Sequence, residues 1–208
     1  MKPVPRIVVF ASGEGTNFQA IIDSVKFGHL KAEIISLFTN RRGCRSVQRA
    51  VENGITTEIL DWRWEMEHAY SGLLDALKRA SPDLIVLAGF MRILPPAVIE
   101  LYPMKIINTH PSLLPCFGGH DQFGDNVHRS VIESGARFTG CTVHFVTNDI
   151  DKGPIILQSV VPVSDEDSVE SLSSKVKNVE HETLVRAISI ILSGNYSIAG
   201  NRVKTIYA

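Results

Sequence analysis

Ile7-Val-Val-Phe-Ala-Ser-Gly-Glu-Gly-Thr-Asn17 decides the fold. An unbroken apolar run meets two closely spaced glycines and then an amphipathic segment, Asn17–Phe27. Continuous rather than alternating hydrophobicity fits a strand covered on both faces, as in a parallel sheet flanked by helices. The same unit recurs downstream. Apolar runs at Glu33–Thr39, Thr56–Leu60, Leu84–Gly89 and Lys105–Thr109 alternate with helical patterns at Ser46–Asn53, Met66–Ala80 and Pro96–Tyr102. Repeated β-then-α units with right-handed crossovers predict an α/β fold with a doubly wound, mostly parallel twisted sheet and helices on both faces.

Beyond His110 the pattern changes. A loop containing Gly118, Gly119 and Gly124 leads to a helix near Asn126–Ser134, then two β-runs, Phe138–Val146 and Pro154–Val161. Their short separation predicts an antiparallel pair near the C-terminal end. A last helix, Ser168–Leu192, begins with Ser168-Val-Glu-Ser after Asp165-Glu-Asp, acidic residues suited to the positive start of a helix. Residues 196–208 read as a C-terminal tail, and residues 1–208 as one domain.

Composition narrows the function. A chain of 208 residues with 44% apolar content supports a full core. A net charge of -1 with scattered basic residues argues against nucleic acid or an anionic membrane surface as the main partner. The expected partners are small molecules, with the chain a monomer or homodimer. No apolar run is long enough to span a bilayer. Cys44, Cys116 and Cys141 suggest neither a disulfide framework nor a metal site, so a reducing cytoplasm fits and no metal is expected.

The loop Ser12-Gly-Glu-Gly-Thr-Asn17 lies where backbone N–H groups and the helix dipole favour an anion. It lacks the third glycine of a dinucleotide fingerprint, since Phe18 stands there, and the second strand ends in Thr39-Asn40 without the acidic ribose ligand. No Gly-Lys-Ser/Thr follows either. What remains is a monophosphate held by the backbone of Gly15, Thr16 and Asn17, or else a tight turn capped by Asn17 or Thr16.

Lys105-Ile-Ile-Asn-Thr-His-Pro-Ser-Leu-Leu-Pro115 is the candidate for the chemistry, the alternative being that Asn, His and Pro serve there only as turn formers. Residues two apart in a strand share a face, so Asn108 and His110 pair an oxyanion donor with a proton carrier. Pro111 stops the strand and leaves the imidazole at its end. Asp149 and Asp151 lie in the loop between the last two long strands.

Taken in order, Ser12-Gly-Glu-Gly-Thr-Asn, Leu87-Ala-Gly-Phe-Met-Arg-Ile-Leu94, Asn108-x-His-Pro-Ser-Leu-Leu-Pro, Val143-His-Phe-Val, Asp151-x-Gly-Pro-Ile and Glu180-His181 resemble the folate-dependent formyltransferases. Among them the resemblance is to the branch that formylates glycinamide ribonucleotide in purine biosynthesis, and it covers nearly the whole chain. It implies Asn108, His110 and Asp151 as the catalytic set. Gly15, Thr16 and Asn17 would hold the ribonucleotide phosphate and Glu180 its ribose hydroxyls. Met91, Arg92, Ile93 and Leu94, with the backbone around Val146 and Asp151, would line the pterin pocket of the co-substrate 10-formyltetrahydrofolate. The loop Cys116–His128 is longer than in many members, leaving His120 and His128 without a role. Arg63, Trp64 and Glu67 stand where some relatives supply an arginine for the folate's glutamate tail.

With no serine or cysteine nucleophile paired to a base, the expected chemistry is direct attack of the substrate amine on the formyl carbon through a tetrahedral intermediate. The competing readings are a sugar-nucleotide formyltransferase sharing the Asn/His/Asp set, and a catalytically silent nucleotide- or folate-binding module. A tRNA-directed formyltransferase would need a further domain and a basic face.

Overall fold

The computed structural model describes residues 3–60 and 67–206. The chain forms two compact units, Met1–Ile107 and Asn108–Ala208, divided inside the fifth strand. In the first unit, β1 (Arg6–Phe10), β2 (Glu33–Thr39), β3 (Thr57–Ile59) and β4 (Leu84–Leu87) alternate with α1 (Thr16–Lys26), α2 (Arg45–Glu52) and α3 (Glu67–Ala80). α4 (Pro96–Leu101) then leads into β5 (Ile106–His110). The first four strands lie in the order β3-β2-β1-β4, all parallel. Ile7, Val8, Val9 and Phe10 are fully buried, as an unbroken apolar strand requires. Phe10 stacks on Phe38 of β2 at 4.9 Å and meets the edge of Phe90 at 5.1 Å. Each such side chain removed from water contributes about 1.5–3 kcal/mol.

The second unit begins with the end of β5 and continues through α5 (Asp125–Glu133), β6 (Phe138–Phe145), β7 (Ile155–Pro162) and α6 (Val169–Ser193). β6 and β7 are antiparallel, from Phe138 opposite Pro162 to His144 opposite Ile155, with a bulge at Val143/His144. Val131, Cys141, Val161, Leu172 and Val176 form a buried cluster that packs α5 and α6 on β6 and β7. The expected start of α6 is realised as a capping box: Ser168 Oγ accepts from Ser171 N, and Ser171 Oγ accepts from Ser168 N.

The fold class expected from sequence is observed: a mostly parallel sheet with flanking helices and antiparallel strands towards the C-terminus. One expectation is corrected. The segment read as a tail folds into a hairpin of β8 (Tyr196–Ala199) and β9 (Arg202–Thr205), with β9 beside β7. Four-residue strands give too short a pattern to separate from a polar terminus, and Gly200 at φ 58° supplies the left-handed residue of the turn.

Candidate active site

In the second unit, β5 turns Asn108 and His110 to one side and Thr109 to the other, as strand periodicity demands. His110 is 4% exposed. Its Nε2 lies 2.8 Å from the Phe117 carbonyl oxygen. That oxygen only accepts, so Nε2 carries hydrogen and Nδ1 is the atom that gains or loses a proton. Nδ1 is 3.6 Å from Asp151 Oδ2. Burial holds the His110 pKa below its ordinary value, while the Asp151 charge and the Phe117 carbonyl pull it upward. Burial and the neighbouring carboxylate thus act on this imidazole in opposite senses.

Asp151 occupies the left-handed region at φ 56°, where aspartate is among the few tolerated non-glycine residues. Such strain belongs to sites whose geometry is imposed by their surroundings. Gly119 N donates to Asp151 Oδ2 at 2.9 Å. Burial alone would raise this carboxyl; His144, the Gly119 N–H and the charge of His110 outweigh it and leave the pKa below the ordinary value. Gly153 explains the Asp-x-Gly pattern sterically: a Cβ there would stand 1.8 Å from the Phe145 carbonyl oxygen.

His144 is the member whose role sequence reasoning missed. It is 2% exposed. Its Nδ1 donates to the Phe145 carbonyl at 2.9 Å, which turns Nε2 towards Asn108 and Asp151. Asn108 Nδ2 is hydrogen-bonded to that Nε2 at 3.2 Å, and Asp151 Oδ1 lies 3.6 Å from it. This contact orients the Asn108 amide on the His144 ring and leaves its remaining hydrogen-bonding capacity for a ligand. The motif Val143-His-Phe-Val holds this residue. Alternation places it on a strand face without revealing its partner 36 residues away.

On the other side of β5, Thr109 Oγ1 donates to Glu180 Oε1 of α6 at 2.7 Å. Glu180 is 6% exposed, so it is a buried, hydrogen-bonded carboxylate rather than a solvated helix face. The turn after His110 is fixed by Thr142 Oγ1, which donates to the Ser112 carbonyl at 2.7 Å and accepts from Leu114 N at 3.0 Å. His128 is buried on α5, with burial depressing its pKa, whereas His120 is exposed.

In the first unit, Gly15 is the N-cap of α1 at φ 67°, with no side-chain cap. Thr16 and Asn17 are therefore helical residues, not caps. Asn17 is 8% exposed and its Oδ1 has no hydrogen-bond partner. Ser12 joins this loop to two neighbouring strand ends, donating through Oγ to Asn40 Oδ1 at 2.7 Å and accepting from Met91 N at 3.0 Å. Met91 is 45% and Ile93 62% exposed, while Leu94 is buried. Exposed apolar side chains beside a glycine turn suit ligand contact; Leu94 serves the core. Arg92 is exposed and Val146 half-buried. Arg63 and Trp64 lie outside the described residues, and Glu67 is described only as the first residue of α3.

This combination of a doubly wound fold, an anion-type loop and a buried Asn/His/Asp cluster defines a group-transfer protein of the formyl transferase type. The chain belongs to the formyl transferase family, whose profile matches residues 5–188. It is 38% identical over 197 residues to the phosphoribosylglycinamide formyltransferase of Escherichia coli, covering 94% of this chain and 91% of that one. It is 41% identical over 194 residues to the trifunctional purine biosynthetic protein adenosine-3 of Gallus gallus, covering 91% of this chain and 18% of that one. The crystal structure of glycinamide ribonucleotide transformylase 1 from Symbiobacterium toebii superposes with a TM-score of 0.92 at 35% identity, over 100% of this chain and 96% of that one. The chain spans 18–20% of the length of three trifunctional relatives and 60–65% of two chloroplastic ones.

Proposed function

We propose that this protein transfers a formyl group from 10-formyltetrahydrofolate to the amine of 5'-phosphoribosylglycinamide, giving the formylated ribonucleotide and tetrahydrofolate in purine biosynthesis. The observation that carries the proposal is the convergence of Asn108, His110 and Asp151, with His144, in one buried cluster. The amine attacks the formyl carbon and the carbonyl oxygen becomes an oxyanion. Asn108 donates to that oxygen through its side-chain amide, an interaction that strengthens as charge develops. His110 takes the amine proton at Nδ1, where Asp151 stabilises the cation, and returns it towards the departing folate nitrogen. Closing the intermediate breaks the old C–N bond.

Gly15, Thr16 and Asn17 hold the ribonucleotide phosphate in this reading, through the backbone N–H groups of a helix start that no side chain caps. Glu180 meets the ribose hydroxyls, with Thr109 orienting one of its oxygens. Met91, Arg92 and Ile93 meet the pterin in this reading, which the exposure of Met91 and Ile93 favours. The two units work as a single formyltransferase domain, in the cytoplasm, as a monomer or homodimer.

The test supplies the protein with 10-formyltetrahydrofolate and glycinamide ribonucleotide and follows loss of the formyl donor. Consumption dependent on the ribonucleotide is expected. Consumption only with a sugar-nucleotide amine would reassign the acceptor, and none with any amine would leave a binding module.

A further inference from the structure

The glycine loop of the first unit is held by α2. Ser46 N, in the first turn of α2, donates to the Gly13 carbonyl at 3.1 Å. Arg49, one turn on, donates through Nε to the Glu14 carbonyl at 2.9 Å and through Nη1 to Gln19 Oε1 of α1 at 3.0 Å. Gln19 is itself anchored, its Nε2 donating to Asp23 Oδ1 at 2.8 Å. In a planar trans peptide the C=O and N–H point in opposite directions. Drawing the carbonyls of Gly13 and Glu14 onto α2 therefore turns the N–H groups of Glu14 and Gly15 away from it. These N–H groups join the free first-turn N–H groups of α1, the donors an anion seeks. Gly15 is forced twice over: its φ is 67°, and a Cβ there would stand 2.8 Å from Ser46 Cβ.

We infer that Arg49 is the positioning residue of the ribonucleotide's phosphate site: its two hydrogen bonds lock the glycine loop in the anion-binding conformation before substrate arrives. A preformed loop spares the ligand the cost of ordering it. The guanidinium also brings a permanent positive charge to the loop's flank, which favours a phosphate dianion. Both its anchored donors come from a fixed planar fork that a lysine cannot reproduce. The inference rests on the phosphate reading of Gly15–Asn17.

The test compares wild-type protein with Arg49→Met, Arg49→Lys, Gln19→Ala and Gly15→Val. It measures kcat, the KM for each substrate, and the inhibition constant of ribose 5-phosphate. Arg49→Met is expected to raise the ribonucleotide KM and the ribose 5-phosphate constant about tenfold, with kcat and the formyl-folate KM within about twofold. Arg49→Lys should recover part of the loss. Gln19→Ala, which removes one acceptor of Arg49 and leaves the loop untouched, should cost about threefold and serves if Arg49→Met does not fold. Unchanged ribonucleotide KM in the Arg49 and Gln19 variants, with a raised value in Gly15→Val, overturns the role of Arg49 alone. Unchanged KM in all variants overturns the phosphate loop and this inference with it. A parallel loss in kcat and both KM values would assign Arg49 to general stability and also overturn it.

Discussion

Replacing Asp151 with asparagine removes one negative charge while keeping the size of the side chain. Asp151 Oδ2 lies 3.6 Å from His110 Nδ1, with the side chains 13% and 5% exposed respectively. Two unit charges at that distance attract by about 1 kcal/mol in a water-like dielectric and by about 4–5 kcal/mol at an effective value of ~20. The imidazolium formed as His110 takes the amine proton loses that support, so kcat should fall roughly 10- to 2,000-fold, towards the larger figure because His110 is buried and Asp151 is largely shielded from water. Burial already holds the His110 pKa down and Asp151 opposes it. Without Asp151 the pKa falls further, and His110 becomes a weaker base that stays neutral to lower pH. The acid limb of the kcat profile should therefore move to lower pH as its plateau drops. Steady-state rates from pH 5 to 9, with both substrates saturating, test this. The ribonucleotide KM should stay within about threefold. Wild-type kcat with an unmoved acid limb would refute the role of Asp151.

Other perturbations probe the rest of the cluster. Asn108→Ala removes one oxyanion donor and should lower kcat about 100-fold, near 3 kcal/mol, in single-turnover measurements. Thr109→Val takes a donor from the buried Glu180 carboxylate and should destabilise the protein by about 2 kcal/mol in urea unfolding while raising the ribonucleotide KM. Gly153→Ala places a Cβ 1.8 Å from the Phe145 carbonyl oxygen and should cost about 3 kcal/mol or more in the same assay, with loss of turnover as Asp151 shifts. His128 is buried with its pKa depressed below 6.5, chiefly by desolvation. The unfolded chain binds its proton first as pH falls, so stability drops below about pH 6.5. His128→Leu should flatten the melting-temperature slope between pH 7 and 5, and an unchanged slope would exclude His128 as its source.

Much of the fold was legible in the chain. The span Glu33–Thr39 was read residue for residue, and the other long strands within a residue or two, because short β-branched and aromatic runs bounded by turn residues favour a strand. The hairpin at Tyr196–Thr205 was not legible: its strands are four residues long, and β9 adds to β7 through a contact between Ile155 and Arg202 far apart in sequence. For the candidate site, strand periodicity put Asn108 and His110 on one face, while their catalytic reading, like the choice of Asp151 over Asp149, came from the order of motifs along the chain. Local spacing says nothing about which loop carboxylate turns inward.

The sequence by itself determined that the chain is a doubly wound α/β protein with an anion-type glycine loop and an amide and imidazole on one strand face. These follow from periods of 2 and 3.6 and from backbone rules that act within a few residues. Only the tertiary structure decided that His144 orients Asn108, that Thr109 holds Glu180, that Met91 and Ile93 are exposed while Leu94 is core, and that Arg49 grips the loop at Glu14. Each of these depends on which groups meet across tens of residues. A hydrogen bond forms or fails over tenths of an ångström, a distance set by packing rather than by any local pattern.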